Sequence, residues 1–183
     1  GQAVPRKDIP PKVTGTAGAG YLMTHAANDS FIAVNRLLKA GDQVSWITSG
    51  AHQGAFFVAT GGSTSGGVAK LAADLGLDFE GIASRPAGDA IALKQPRIAL
   101  ADQYGGSMPS GWTRWLLEQF EFPFEVVFPK AVDLGDLSAK YDVITMFDVI
   151  EHLREPFAQL DTAHGLLADD GILVVSTMDS TSV

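Results

Sequence analysis

Apolar positions along the chain fall into two rhythms, short runs of strand length and stripes at helical spacing, and these alternate from residue 21 onward. Tyr21 to Thr24 is a short apolar run. Asn28, Asp29 and Ser30 follow, with side-chain oxygens able to accept the free amide protons of a first helical turn, and Phe31, Val34 and Leu38 then recur at helical spacing. Lys39 suits the last turn of that helix and Gly41 the left-handed position after it. Gln43 to Thr48 predicts a strand, Ser49 to Gly54 a turn, and Ala55 to Ala59 the returning strand of a hairpin. Gly61 to Gly67 (GGSTSGG) reads as a loop of small residues. Val68, Leu71 and Leu75 then form the apolar face of a second helix, closed by Gly76.

The second half continues in the same way. Ala90 to Leu93 and Arg97 to Ala101 read as strands on either side of Pro96. Ser110 is placed to cap a helix whose buried side would be Trp112, Trp115, Leu116 and Phe120. Glu125 to Phe128 and Tyr141 to Phe147 read as strands. Pro156 fits the first turn of a helix carrying Phe157, Leu160, His164 and Leu167, with His164 half-buried on its apolar stripe. Asp169, Asp170 and Gly171 end it, and Ile172 to Ser176 is expected as a fully buried strand. From residue 97 the order is strand, helix, strand, strand, helix, strand. Continuous apolar strands alternating with helices indicate a parallel sheet covered on both faces. The expected fold is therefore α/β, a doubly wound, mainly parallel sheet of Rossmann-like or flavodoxin-like type, with an N-terminal α/β extension. Residues 1–12 read as an extended lead-in, 13–95 as the N-terminal α/β part and 96–183 as the doubly wound part.

Composition narrows the function classes. The chain is 46% hydrophobic and 19% charged, which is globular and not disordered. No apolar run has the length of a membrane-spanning helix. With 13 basic and 21 acidic residues the net charge is −8, a field that opposes nonspecific nucleic-acid binding and anionic membrane surfaces. Cysteine is absent, so disulfides, thiolate metal sites and a cysteine nucleophile are excluded within these residues. The start carries neither an initiator Met nor a signal peptide, and reads as a processed chain or an excised segment.

Two resemblances attach to different parts of the chain. AGYLMTHAANDSFIAVNRLLKAG at 19–41 and DQYGGSMPSGWTRWLLEQFEFPFEVVFP at 102–129 carry the first. On them residues 13–143 resemble the C-terminal amidotransferase-like region of M14-family zinc carboxypeptidase-like proteins. That resemblance implies an accessory α/β domain without chemistry of its own. The family's zinc ligands belong to a separate upstream peptidase domain, and an amidotransferase nucleophile would be a cysteine. KYDVITMFDVIEHLREPFAQLDTAHGLLADDGILVVSTMDS at 140–180 carries the second. It resembles the fourth strand, following helix and fifth strand of a class I S-adenosylmethionine-dependent methyltransferase, giving a methyltransferase-like segment over 140–183. That superfamily holds its cofactor with a glycine-rich loop after its first strand and an acidic residue ending its second. No D-x-G-x-G-x-G run precedes residue 140 here. Together the two resemblances imply a chimera joined within YDVI, where both families use an apolar strand.

Candidate chemistry sits where strands end. Asp102, Tyr104, Gly105, Gly106 and Ser107 join a strand to a helix, the place where open α/β sheets bind ligands, and paired glycines let backbone amides approach one. A plain strand–helix turn that needs glycine for its backbone angles is the first reading of the same residues, ahead of a ligand site. Asp148, Glu151 and His152 follow the next apolar strand, and the methyltransferase resemblance puts them beside methyl donor and substrate. A carboxylate next to an imidazole can move a proton, and acids here also suit the start of the following helix. Gly61 to Gly67 lacks the lysine of a phosphate loop. His152 and Glu155 fit an H-x-x-E zinc pair, but no third ligand stands at an organised distance, so no metal is expected. The first expectation is a non-catalytic accessory domain, structural or interaction-based, with no cofactor, partnered by an upstream peptidase domain or by itself and exported. The alternative is a cytoplasmic methyltransferase-like protein that binds S-adenosylmethionine through Asp102, Gly105 and Gly106 on one side and Asp148 and Glu151 on the other.

Overall fold

A computed structural model describes residues 11–61, 64–128 and 140–177. Most of the lead-in, Gly62 and Ser63 of the small-residue loop, and the last six positions of the methyltransferase-like segment lie outside the described residues. The chain divides into two compact units, Gly1–Lys94 and Gln95–Val183.

The first unit contains β1 (Val13–Gly15), β2 (Gly20–Met23), α1 (Asp29–Lys39), β3 (Val44–Ile47), β4 (Phe56–Ala59), α2 (Thr64–Leu75), β5 (Phe79–Ile82) and β6 (Ala90–Ala92). Its strands form one sheet in the order β1-β5-β2-β4-β3-β6. The β1–β5 pair is parallel and the other pairs are antiparallel. The hairpin expected around Ser49–Gly54 is formed by β3 and β4. Alternation along the strands divides the side chains between two faces. Tyr21, Met23, Phe56 and Val58 pack with Ala33, Val34 and Leu37 of α1 and with Val68, Leu71 and Ala72 of α2. Leu22, Ile47 and Phe57 form a smaller cluster on the opposite face. Gly20 permits that second cluster: a Cβ there would stand 2.3 Å from the Val58 carbonyl oxygen and 2.6 Å from the Phe57 ring.

Helix ends show which sequence signals the structure uses. Gly41 (φ +86°) and Gly76 (φ +66°) terminate α1 and α2 in the left-handed conformation, as expected. The amide of Asp42 donates to Leu37 O, and that of Gly76 to Ala72 O. The start of α1 differs from expectation. Asn28 is the cap residue but already helical in its backbone, and its side chain makes no capping bond. A capping side chain needs an extended backbone to reach forward. The GGSTSGG stretch is not all loop, because α2 begins at Thr64. Thr64 is buried, and its hydroxyl bonds Asp42 and the Gly61 carbonyl oxygen, which offsets the low helix propensity of Gly66 and Gly67.

The second unit runs β7 (Ile98–Ala101), α3 (Met108–Gln119), β8 (Phe124–Val127), β9 (Tyr141–Phe147), a single 3₁₀ turn (Ile150–His152), α4 (Pro156–Leu166) and β10 (Leu167–Ser176). Its strands pair in parallel in the order β10-β9-β7-β8. The fold is the expected Rossmann-like α/β type with a parallel sheet. Strand β7 is central and buried along its whole length. Its partner β9 supplies Tyr141, Ile144 and Met146 to a core shared with Val127, Ala163 and Leu166.

Three burial expectations in this unit are corrected. Trp112, Trp115 and Leu116 of α3 are exposed, not buried. Phe157 is 82% exposed and His164 is exposed, while α4 buries Ala163 and Leu166 instead. Strand β10 is an edge strand with Ile172, Val174 and Val175 exposed. Spacing locates an apolar stripe but not what lies opposite it. The helix start is corrected too. Ser107, not Ser110, caps α3: its hydroxyl oxygen accepts the Ser110 amide at 3.2 Å, with Pro109 in the first turn.

Candidate functional site

The chain passes from β7 through α3 to β8 on one side of β7, then enters β9 on its other side. The β7–β9 boundary is therefore a topological switch point. In sheets of this kind the loops leaving the carboxyl ends of two such strands border a ligand crevice, which makes this place the candidate site. The segments leaving β7 and β9 carry every candidate residue from the sequence.

Asp102 opens the first segment. Its amide donates to Val127 O of β8 at 3.0 Å. One carboxylate oxygen, Oδ1, accepts the amides of Gln103 at 2.8 Å and Ser107 at 3.2 Å, closing the loop on itself. Gly105 (φ +99°) and Gly106 (φ +77°) take backbone angles that disfavour any other residue. Among the described residues beyond its chain neighbours, no atom lies within 4 Å of where a Gly105 Cβ would stand, and only Asp102 Oδ2 at 3.7 Å lies near that of Gly106. The glycines thus answer to backbone conformation, and the space beside them is open. Tyr104 is exposed and stacks on Phe128, just past β8, with ring centroids 5.2 Å apart and planes 6° from parallel.

Ser107 ties this segment to the second. Its hydroxyl, while capping α3, donates to Phe147 O at the end of β9 at 3.3 Å. Asp148 follows with φ +52°, an uncommon backbone for a residue with a side chain. Its amide donates to Ser176 O of β10 at 2.9 Å. Glu151 is exposed, and Oε2 accepts the Thr177 hydroxyl at 3.1 Å. His152 is exposed at the end of the 3₁₀ turn, its amide donating to Val149 O. The ends of β7, β8, β9 and β10 are thereby joined by hydrogen bonds running across the sheet. Sequence reasoning missed Phe128 and Thr177. Phe128 gives no local signal, because its role comes from a neighbouring strand. Ser107 ahead of Pro109 was the legible sign of the α3 cap.

The amino ends of the same strands carry the perturbed ionisations. Arg97 binds Asp142 through Nη2 at 2.9 Å and Nε at 3.1 Å, and its amide donates to the same carboxylate at 2.8 Å. Glu125 Oε2 accepts both Lys140 Nζ and the Tyr141 hydroxyl at 2.9 Å. These bonds, from Lys140 and then Tyr141, hold the Glu125 carboxyl below its ordinary value. The Tyr141 hydroxyl and Glu125 raise Lys140 to about 12. Burial pushes Tyr141 up. A cleft of about 490 Å3 lies among these groups, bounded also by Pro96, Pro123 and Phe124. It lies at the end of the strands opposite the switch-point loops. Among the described residues no three His, Cys, Asp or Glu side chains gather as a metal site. No helix of the described residues is long and apolar enough to cross a membrane.

Comparison with known proteins accords with this geometry. The ubiquinone biosynthesis O-methyltransferase of Glaesserella parasuis serovar 5 (strain SH0165) is 37% identical over 43 residues, 24% of this chain and 18% of that protein's length. No solved structure matches the chain. Residues 61–183 match the family described as a methyltransferase domain. That match begins well ahead of the join expected at 140–143 and takes in β7, α3 and β8 as well as the segment from β9 to β10. The comparisons thus support the methyltransferase part of the two resemblances and lend nothing to the M14 part, for which strands and helices alternating at similar lengths are a shared pattern. The chain belongs to the methyltransferase domain family.

Proposed function

We propose that this chain is a methyltransferase-like protein whose switch-point crevice, between the loops after β7 and β9, binds S-adenosylmethionine. The observation that supports the reading is the topology: family membership joins a parallel sheet whose reversal falls between the two segments that carry the candidate residues. It favours donor binding over the accessory-domain expectation, which has no use for an open glycine pair at that place.

The residues present fit an adenosyl-bearing group at the β7 loop. Gly105 and Gly106 leave room for close approach to the backbone. Asp102 fixes the loop through Oδ1 and is a positioning residue by that bond. Phe128 stands directly after β8, where the family's usual acid ends the second strand, and it is the last described residue before 140. Besides Asp102, the acids proposed to face the donor are Asp148 and Glu151, the latter accepting the Thr177 hydroxyl. When bound, S-adenosylmethionine supplies an electrophilic methyl group. His152, next to Glu151, is the group placed to take a proton from an acceptor. The relative named above is an O-methyltransferase, so hydroxyl acceptors are the class to try first.

Calorimetric titration with S-adenosylhomocysteine tests donor binding without an acceptor. The expected result is a dissociation constant in the micromolar range (about −8 kcal/mol) that weakens at least about tenfold in Gly106→Val, where a β-branched residue cannot hold a positive φ. Absence of heat at millimolar ligand, with a cooperative melt, would return the chain to the accessory-domain reading.

A further inference from the structure

The first unit carries a cleft that the proposed donor site does not use, although one of its walls lies within the residues that match the family. It has a volume of about 730 Å3 and lies between the β3–β4 turn and the loop from β5 to β6. Ser49, Gly50 and His52 form one wall, and Ser84, Arg85 and Gly88 the other.

The two walls are pinned together. The Thr48 amide donates to Asp89 O at 2.9 Å. The Ser49 hydroxyl donates to Asp89 Oδ2 at 3.1 Å and accepts the Asp89 amide at 2.7 Å. Two close backbone approaches depend on glycine. A Cβ at Gly50 (φ +89°) would stand 2.6 Å from Ala87 O, and one at Gly88 (φ +112°) would stand 2.4 Å from Ser49 O. A cleft closed by such contacts is formed before any ligand arrives, so little ordering is left for binding to supply.

Apart from the Ser49 hydroxyl, its donors are unspent among the described residues. Arg85 is exposed and lies over the Phe57 ring at 5.6 Å, and no carboxylate among the described residues pairs with it. The Phe57 face gives the guanidinium a resting place without using its N–H groups, because the attraction is to the ring's negative face. The amides of Ser84, Arg85, Ala87 and Gly88 donate to no protein acceptor among the described residues. The nearest acid on the rim, Asp89, is engaged by Ser49. In a chain of net charge −8, a preformed cleft with a guanidinium, a hydroxyl, an imidazole and free amides selects against most of its own surface chemistry and for an oxyanion.

From this we infer that the cleft between the β3–β4 turn and the β5–β6 loop is an oxyanion-binding site, taking a small molecule through a phosphate or carboxylate group on Arg85, Ser84 and His52.

The test is a 1H–15N NMR titration of the whole chain with inorganic phosphate and, separately, with acetate. Saturable shifts confined to residues 49–52 and 84–88 are expected with one of the two. Saturation by phosphate alone identifies a phosphate-bearing ligand, and saturation by acetate identifies a carboxylate. Arg85→Gln should weaken the constant about tenfold with an unchanged melting temperature, since the side chain is exposed. Arg85→Lys keeps the charge but loses the fork, and should fall between the two. Ser49→Ala unpins the walls and should weaken binding with Arg85 intact. Failure of both anions to saturate, or equal binding by Arg85→Gln, would overturn the inference.

Discussion

Asp102 is the sharpest place to perturb the candidate crevice, because one atom closes the loop that borders it. Oδ1 takes the amides of Gln103 and Ser107 at 2.8 and 3.2 Å. Removing the acceptor in Asp102→Ala leaves both amides without a protein partner. The loop is half-buried, so water can reach part of what is lost, and each bond is worth about 1 kcal/mol. The expected cost is therefore about 2 kcal/mol in the unfolding of the second unit. Asp102→Asn keeps the Oδ1 acceptor and should cost at most about 1 kcal/mol. Urea unfolding read by far-ultraviolet circular dichroism and by tryptophan emission measures both, with Trp112 and Trp115 reporting the second unit and Trp46 the first. If Asp102 acts by positioning, Asn should also retain S-adenosylhomocysteine binding within a few-fold while Ala loses it. An alanine variant as stable as the parent would refute the loop-closing role. An asparagine variant of parental stability that binds no ligand would mean that the carboxylate touches the ligand itself.

Other consequences follow from the same geometry. Gly20→Ala should cost about 3 kcal/mol, the upper end for overpacking, in denaturant unfolding of the first unit, because the clash with Val58 O is with backbone in a paired strand. Glu121 ends α3 at φ +56°, where α1 and α2 use glycine, so Glu121→Gly should stabilise by about 0.5–1 kcal/mol in the same assay. Acid titration of stability should show the Glu125 cluster. Its carboxyl is held below the ordinary 4.5, so its contribution is present above that value and lost as pH falls through the lower folded one. Because the Glu125 side chain is 57% exposed, Glu125→Gln should lose well under about 1 kcal/mol at neutral pH, and the difference from the parent should vanish in acid. At the alkaline end, the Lys140 contribution is complete below its ordinary 10.5 and disappears as pH rises through about 12.

Local patterns along the chain were sufficient for much of this. Tyr141–Phe147 is apolar over a length only a strand fits, and it is β9. The glycines at 41 and 76 mark helix ends because no other residue takes a positive φ at so little cost. The phrase around Asp148 to Leu153 pointed to the methyltransferase family that residues 61–183 match. The positions of Gly105 and Gly106 after an apolar strand mark a candidate site in the sequence alone. These features are local: each depends on a few neighbouring residues and their intrinsic backbone preferences.

What only the tertiary structure decided is which partners those elements meet. The Trp112, Trp115 and Leu116 stripe has the spacing of a core face, yet it is exposed, because burial depends on what packs opposite and spacing carries no record of that. The β10 segment reads as buried, but its place at the sheet edge leaves half its apolar side chains in solvent. The order β10-β9-β7-β8 could not be read along the chain, since strand pairing is a long-range choice made by whole hydrophobic faces. That order sets β9 beside β7, brings Ser107 to Phe147 and Thr177 to Glu151, and so ties separate loops together at one end of the sheet.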